Sequence, residues 1–195
     1  MTEDELARLI HTLIFAETLS ERMSAGLKLR FHASGIDVLR SIFSEFIRYT
    51  DELMTGKRPP REDDVTPFLQ FHTVFHPIEY LLWGWYEDEP LVETLMEMNN
   101  DPDRQVRALA LISLGAVNLF WKDPRIEPHL RAYQGDPDPL IRAAARLALD
   151  YIPFGEYVKA RTSPDMSLYQ RLEQYAAQVM SGLTRVTTPK GGQDD

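Results

Sequence analysis

The sequence predicts an all-α protein, a short α-solenoid of helical hairpins with an N-terminal helical bundle or cap. Three observations carry that expectation. First, a stretch repeats itself: residues 91–118 read LVETLMEMNNDPDRQVRALALISLGAVN and residues 126–153 read IEPHLRAYQGDPDPLIRAAARLALDYIP, matched residues lying 35 positions apart. Leu95 and Leu130, Asp101 and Asp136, Pro102 and Pro137, Arg107 and Arg142, and Leu114 and Leu149 are such pairs. Self-similarity at this period marks stacked helical hairpins, each burying its apolar face against the next. Second, apolar residues outside the repeat also recur at helical spacing. Third, no run of alternating apolar residues bounded by turn pairs suggests a sheet.

Thr2 and Glu5 make a capping box that opens a first helix, with Leu6, Leu9, Ile10, Leu13 and Ile14 on one face. That helix is expected to run to about Phe31, loosened at Ser24-Ala25-Gly26, and to end at His32-Ala33-Ser34-Gly35. A second helix carries Val38, Leu39, Ile42, Phe43, Phe46, Ile47 and Leu53 as its apolar stripe. Residues 1–56 therefore read as an N-terminal helical pair, and 57–64 as a charged, proline-bearing loop. Helix restarts at Thr66-Pro67 and continues through an aromatic stretch to about Tyr86. Segments 36–55 and 65–83 have the size of a degenerate repeat, without residue identity to support one.

Each clear repeat holds a short apolar helix, an Asp-Pro-Asp turn and a longer Ala/Leu-rich helix. Asp101 and Asp136 suit the N-cap of the longer helix, with Pro102 and Pro137 at its first position. One or two further helices follow Pro153, the last beginning at Ser163-Pro164 and ending near Gly182. The helical repeat region thus spans 65–183, and the polar, Gly-rich tail 184–195 is expected to be disordered. One structural domain accommodates the whole chain.

The segments DPDRQVRALALISLG and DPDPLIRAAARLALD resemble the HEAT-like repeats of phycobilisome-lyase-type and other bacterial proteins, over about residues 90–153. The resemblance implies a stacked α-solenoid that presents a surface to a partner. It also implies a polar ladder between adjacent repeats, formed here by Asp101, Arg107, Asp136 and Arg142.

A net charge of −9 argues against general nucleic-acid binding, which requires Lys and Arg to neutralise phosphates. Cysteine is absent, so disulfides, thiolate metal sites and cysteine nucleophiles are excluded. The acidic start MTEDELARLI differs from a signal peptide, and no window has the apolar length of a membrane span. A cytoplasmic protein is expected.

One segment could carry metal chemistry. His72 and His76 are four apart and Glu79 is three further on, so a helix places all three on one face, a donor set suited to zinc or iron. Pro77 removes the N–H that would bond to Thr73 and predicts a kink among them. The segment VFHPIEYLLWG resembles the His-x-x-Glu motif of imelysin-type helical-bundle proteins, a periplasmic or surface-exposed family linked to iron uptake. That resemblance implies His76 and Glu79 as the motif pair. The alternative reading of the segment is an aromatic, partly buried helix with hydrogen-bonded histidines and no cofactor. Phosphate loops, nucleophile elbows and His-Glu-x-x-His helices are missing, which favours a non-catalytic role.

Two surface features point to a protein partner. Trp83, Trp85 and Tyr86 cluster beside acids, as interface anchors do, although the same residues could join the N-terminal bundle to the repeats. From Glu87 to Asp103 the chain holds Glu87, Asp88, Glu89, Glu93, Glu97, Asp101 and Asp103 with no Lys or Arg. Glu89, Glu93 and Glu97 align on one helix face and repel one another, a repulsion that a basic partner would relieve. The leading expectation is an acidic interaction module for a basic protein, in one version an immunity or inhibitor-like protein that masks a cationic toxin. The others are a metal-dependent helical protein, and a lyase-like or maturation factor in a biosynthetic pathway.

Overall fold

A computed structural model describes residues 1–30, 35–61, 66–83, 89–152, 154–162 and 166–185. Helix α1 (Glu3–Phe15) opens at Thr2, whose hydroxyl accepts the Glu5 N–H at 3.2 Å. The chain does not continue as one helix to Phe31. It breaks at Ala16–Thr18 and restarts as α2 (Leu19–Arg30). A second capping box causes the restart: Thr18 Oγ1 accepts from Glu21 N–H at 3.3 Å, and the Glu21 carboxylate accepts from Thr18 N–H at 3.4 Å. Guanidinium groups of Arg22 and Arg61 donate to the Ala16 carbonyl, closing the end of α1. With α3 (Ile36–Met54), residues 1–56 hold three helices rather than the expected pair.

Helix α4 (Pro67–Trp83) remains one continuous helix through Pro77. It lies against α2 and α10 and only lightly against α3, so 36–55 and 65–83 do not form a repeat-type hairpin. Helices α1, α2, α3 and α4 instead pack against one another.

The repeats begin at α5 (Glu89–Met98), which pairs with α6 (Arg104–Trp121). Next come α7 (Ile126–Ala132), a short 3-10 turn (Tyr133–Gly135) and α8 (Pro139–Leu149). A last pair, α9 (Phe154–Thr162) and α10 (Ser167–Leu183), follows. The helices start two residues later than the turn Asp-Pro pair suggested. Asp103 and Asp138 are the N-caps, accepting from Gln105 N–H at 2.8 Å and Leu140 N–H at 2.9 Å. Pro139, not Pro137, stands at a first helical position. Asp101 and Asp136 each accept from the N–H of the capping aspartate, at 2.9 and 2.7 Å, and so build the turn that presents the cap.

Helix α6 is the centre of the molecule. Every residue from Gln105 to Val117 is buried except the half-buried Arg107. Its tightest neighbour is α8: a Cβ added at Gly115 would fall 2.4 Å from the Ala148 carbonyl oxygen. Helix α10 buries Leu172, Ala176, Val179, Met180 and Leu183, and packs against α8, α4 and α3. The array therefore closes on itself. Among the described residues no strand occurs, and no helix is long and apolar enough to cross a membrane.

Candidate functional site: a histidine–glutamate cluster on α4

Helix α4 is apolar nearly all round, with Phe68, Phe71, Val74, Phe75, Ile78, Leu81 and Leu82 buried. Neighbouring helices enclose it on several sides, which explains why its sequence shows no clean amphipathic stripe. Three polar side chains interrupt that environment. The rings of Phe68, His72 and His76 follow one another along the helix at four-residue spacing, and the two imidazoles stack with centroids 5.2 Å apart. Glu79 lies one turn beyond and turns its carboxylate back towards both. Its Oε2 stands 3.3 Å from His76 Nδ1 and 3.7 Å from His72 Nε2.

One ligand atom from each of the three residues lies within 4.8 Å of the others, so the sequence-derived trio converges on one point. The Glu79 side chain is 1% exposed, His72 is buried and His76 is 28% exposed, leaving one imidazole reachable from solvent. Burial, assisted by the neighbouring His76, holds the His72 imidazole down to about 3. His72 is therefore neutral near neutral pH.

A fourth group was not legible in the sequence. Tyr151, just past α8, is buried with its hydroxyl beside the Glu79 carboxylate. Desolvation, then the Glu79 charge, pushes that phenol upward. The hydroxyl faces the Glu79 carboxylate as its hydrogen-bonding partner. The ring of Tyr151 also meets Phe75 edge-on at 6.3 Å.

The position of α4 is fixed from its N-terminus by α10. Glu173 accepts from Thr66 Oγ1 at 2.7 Å, from the Phe68 N–H at 3.1 Å and from the Tyr157 hydroxyl. A carboxylate at a helix N-terminus satisfies orphan donors and complements the dipole. Burial and the Glu173 hydrogen bond raise the Tyr157 phenol, keeping it a donor. Neither Glu173 nor Tyr157 carried a sequence signal, because the cap comes from another helix.

The candidate partner surface is only partly described. Trp85, Tyr86, Glu87 and Asp88 lie outside the described residues, as do the side chains of Trp83 and Glu89. Glu93 and Glu97 are exposed on α5. The tertiary fold brings cations that the local sequence lacked: Arg125 stands 3.6 Å from Glu93, Arg40 grips the buried Asp101 at 2.7 Å, and Arg185 approaches Asp103 at 3.6 Å. The expected ladder is also rearranged. Arg107 and Arg142 donate to the backbone carbonyls of Asp101 and Asp136 in their own turns, at 2.7 and 2.6 Å. Arg104 supplies the contact between repeats, 3.3 Å from Asp138.

Residues 89–162 match the family model for HEAT repeats. This segment, with its paired helices and repeated Asp-Pro-Asp turns, is a HEAT-like helical repeat. No curated protein and no solved structure matches the chain.

Proposed function

We propose that the chain is a non-catalytic scaffold that binds a basic protein through the outer face of α5. HEAT repeats commonly mediate protein–protein interaction, and the single observation that supports α5 as the contact is the exposure of Glu93 and Glu97 on one face of a HEAT helix. The inner helices are less available, since α6 is enclosed and α10 covers part of α8. The net charge of −9 would steer a cationic partner, in one version a toxin that this protein masks. A fluorescent Lys/Arg-rich peptide, followed by anisotropy against salt, tests the reading. Glu93→Lys/Glu97→Lys should weaken binding about tenfold or more and reduce the salt slope, whereas the charge-matched Glu3→Lys/Glu5→Lys control should not. Equal losses in both variants would mean that net charge alone attracts the peptide, and the α5 site would be abandoned.

A second reading is favoured by the convergence of His72, His76 and Glu79: the protein holds a transition-metal ion on α4. Bond lengths of about 2.0–2.1 Å in a tetrahedral site separate the ligand atoms by roughly 3.4 Å, close to the 3.3 and 3.7 Å between Glu79 Oε2 and the two imidazole nitrogens. Elemental analysis of untagged protein is decisive. Stoichiometric zinc or iron, lost in His76→Ala/Glu79→Ala, is expected. A metal-free protein that none of these ions stabilises on addition would leave only a packed polar cluster.

A further inference from the structure

We infer that the chain self-associates as a two-fold dimer through the outer face of α2, which an antiparallel copy of the same helix covers. The dimer uses neither the α5 face nor the α4 cluster, so it stands apart from both readings above.

Helix α2 is apolar on two sides. Ala25, Gly26 and Leu29 are buried, against α1 and α4. Leu19, Met23 and Leu27, spaced four apart, form a second row that the chain itself leaves uncovered. Leu19 is 48% and Leu27 40% exposed, and Met23 is half-buried. A helix on a protein surface carries one apolar stripe for the one layer beneath it, so a second stripe implies a second neighbour. The helix cannot roll to bury it. A Cβ on Gly26 would stand 3.4 Å from Leu13 Cδ1 and 3.5 Å from the Pro77 carbonyl oxygen, so α2 is seated at close range on both α1 and α4.

The pattern of this face selects a copy of the same helix. Exposed Ser20 and Ser24 make the row beside the apolar one, a groove of small side chains that accepts a partner's ridge of Leu and Met. Glu21 and Lys28, both exposed, border that groove two helical turns apart, hence on one edge. An antiparallel two-fold axis near Ser24 sets Glu21 of each chain beside the partner's Lys28, the self-complementarity that a two-fold interface requires. A parallel pair would bring like charges together. The Thr18 cap occupies only Oε2 of Glu21, and Lys28 forms no ion pair among the described residues. One helix of 12 residues offers less than the roughly 800 Å² per partner of a standard interface, so the dimer is weak and its population depends on concentration.

Sedimentation equilibrium of the full chain, over about a hundredfold range of concentration, reads the association. The average mass should rise above 22.5 kDa towards twice that value. Leu27→Glu should abolish the rise and leave helicity unchanged. Lys28→Glu should weaken association about tenfold, whereas the charge-matched Lys159→Glu on α9 should not. Adding Glu21→Gln to Lys28→Glu keeps the capping box and should recover part of the loss. The chain has no cysteine, so Ser24→Cys introduces a single thiol that mild oxidation should cross-link, while Ser41→Cys on α3 should stay uncoupled. A monomer mass at every concentration would overturn the dimer. If that monomer floats with phosphatidylcholine vesicles and Leu27→Glu does not, the face belongs to a lipid surface instead. A dimer that survives Leu27→Glu, or equal cross-linking at positions 24 and 41, would overturn the α2 contact. Association indifferent to Lys28→Glu would overturn the antiparallel pairing.

Discussion

Gly115 shows how much a single missing side chain decides. It sits mid-helix, where glycine weakens a helix by roughly 1 kcal/mol relative to alanine. Intrinsic propensity therefore favours Gly115→Ala, but packing opposes it, because the new Cβ would lie 2.4 Å from the Ala148 carbonyl oxygen. Backbone cannot rotate out of the way as a side chain can, so α6 and α8 must separate. Packing wins, and Gly115→Ala should destabilise the protein by about 1–3 kcal/mol. Urea denaturation reads this directly, and a variant as stable as the parent would show that the contact is looser than described. Arg107 and Arg142 make a related point. Each holds two carbonyls of its own turn, so these residues shape one repeat rather than link two.

At the scale of elements, α4 and α10 depend on each other. The first turn of α4 has no acidic residue of its own, and Glu173 of α10 takes that role. Glu173→Ala would leave the Phe68 N–H without its acceptor and remove one partner of the Tyr157 hydroxyl, which keeps Thr66 Oγ1 at 3.2 Å. The expected cost is about 1–3 kcal/mol, the range for stranding a buried donor. Amide exchange localises the effect: Phe68 should exchange faster, together with its neighbours in the first turn of α4. Parent-like protection at Phe68 would mean that another acceptor replaces the carboxylate. The break between α1 and α2 belongs to this scale too. Thr18 and Glu21 stop one helix and start the next, a signal that the sequence displays openly in Thr18-Leu19-Ser20-Glu21.

For the whole molecule, the buried His72 links stability to pH. Its ordinary value of 6.5 applies in the unfolded chain, and the folded value is about 3. Between those limits the unfolded state binds the extra proton, so acid favours unfolding. The contribution is fully present above pH 6.5 and declines as pH falls towards 3, by at most about 1.4 kcal/mol per pH unit for one proton. His129, whose imidazole burial also lowers, acts in the same direction. Chelator-treated His72→Phe, which keeps an aromatic ring in the stack, should show a flatter stability profile from pH 6.5 to 4. An unchanged slope would assign the acid sensitivity to other groups.

The sequence by itself determined the all-α class, the register of the two repeats and the trio His72, His76 and Glu79. These features rest on spacing along one chain segment, and helical periodicity converts spacing into a shared face without help from elsewhere. The Asp-Pro-Asp turn was visible as a turn, yet its cap fell on Asp103 and Asp138, because two aspartates compete for one role and only the backbone path separates them. Only the tertiary structure decided which residues from distant segments meet. It brought Tyr151 to Glu79, Glu173 to the start of α4, and Arg40 and Arg125 to acids that appeared unbalanced locally. Such meetings depend on how whole helices pack, and side-chain periodicity within a helix carries no record of its neighbour.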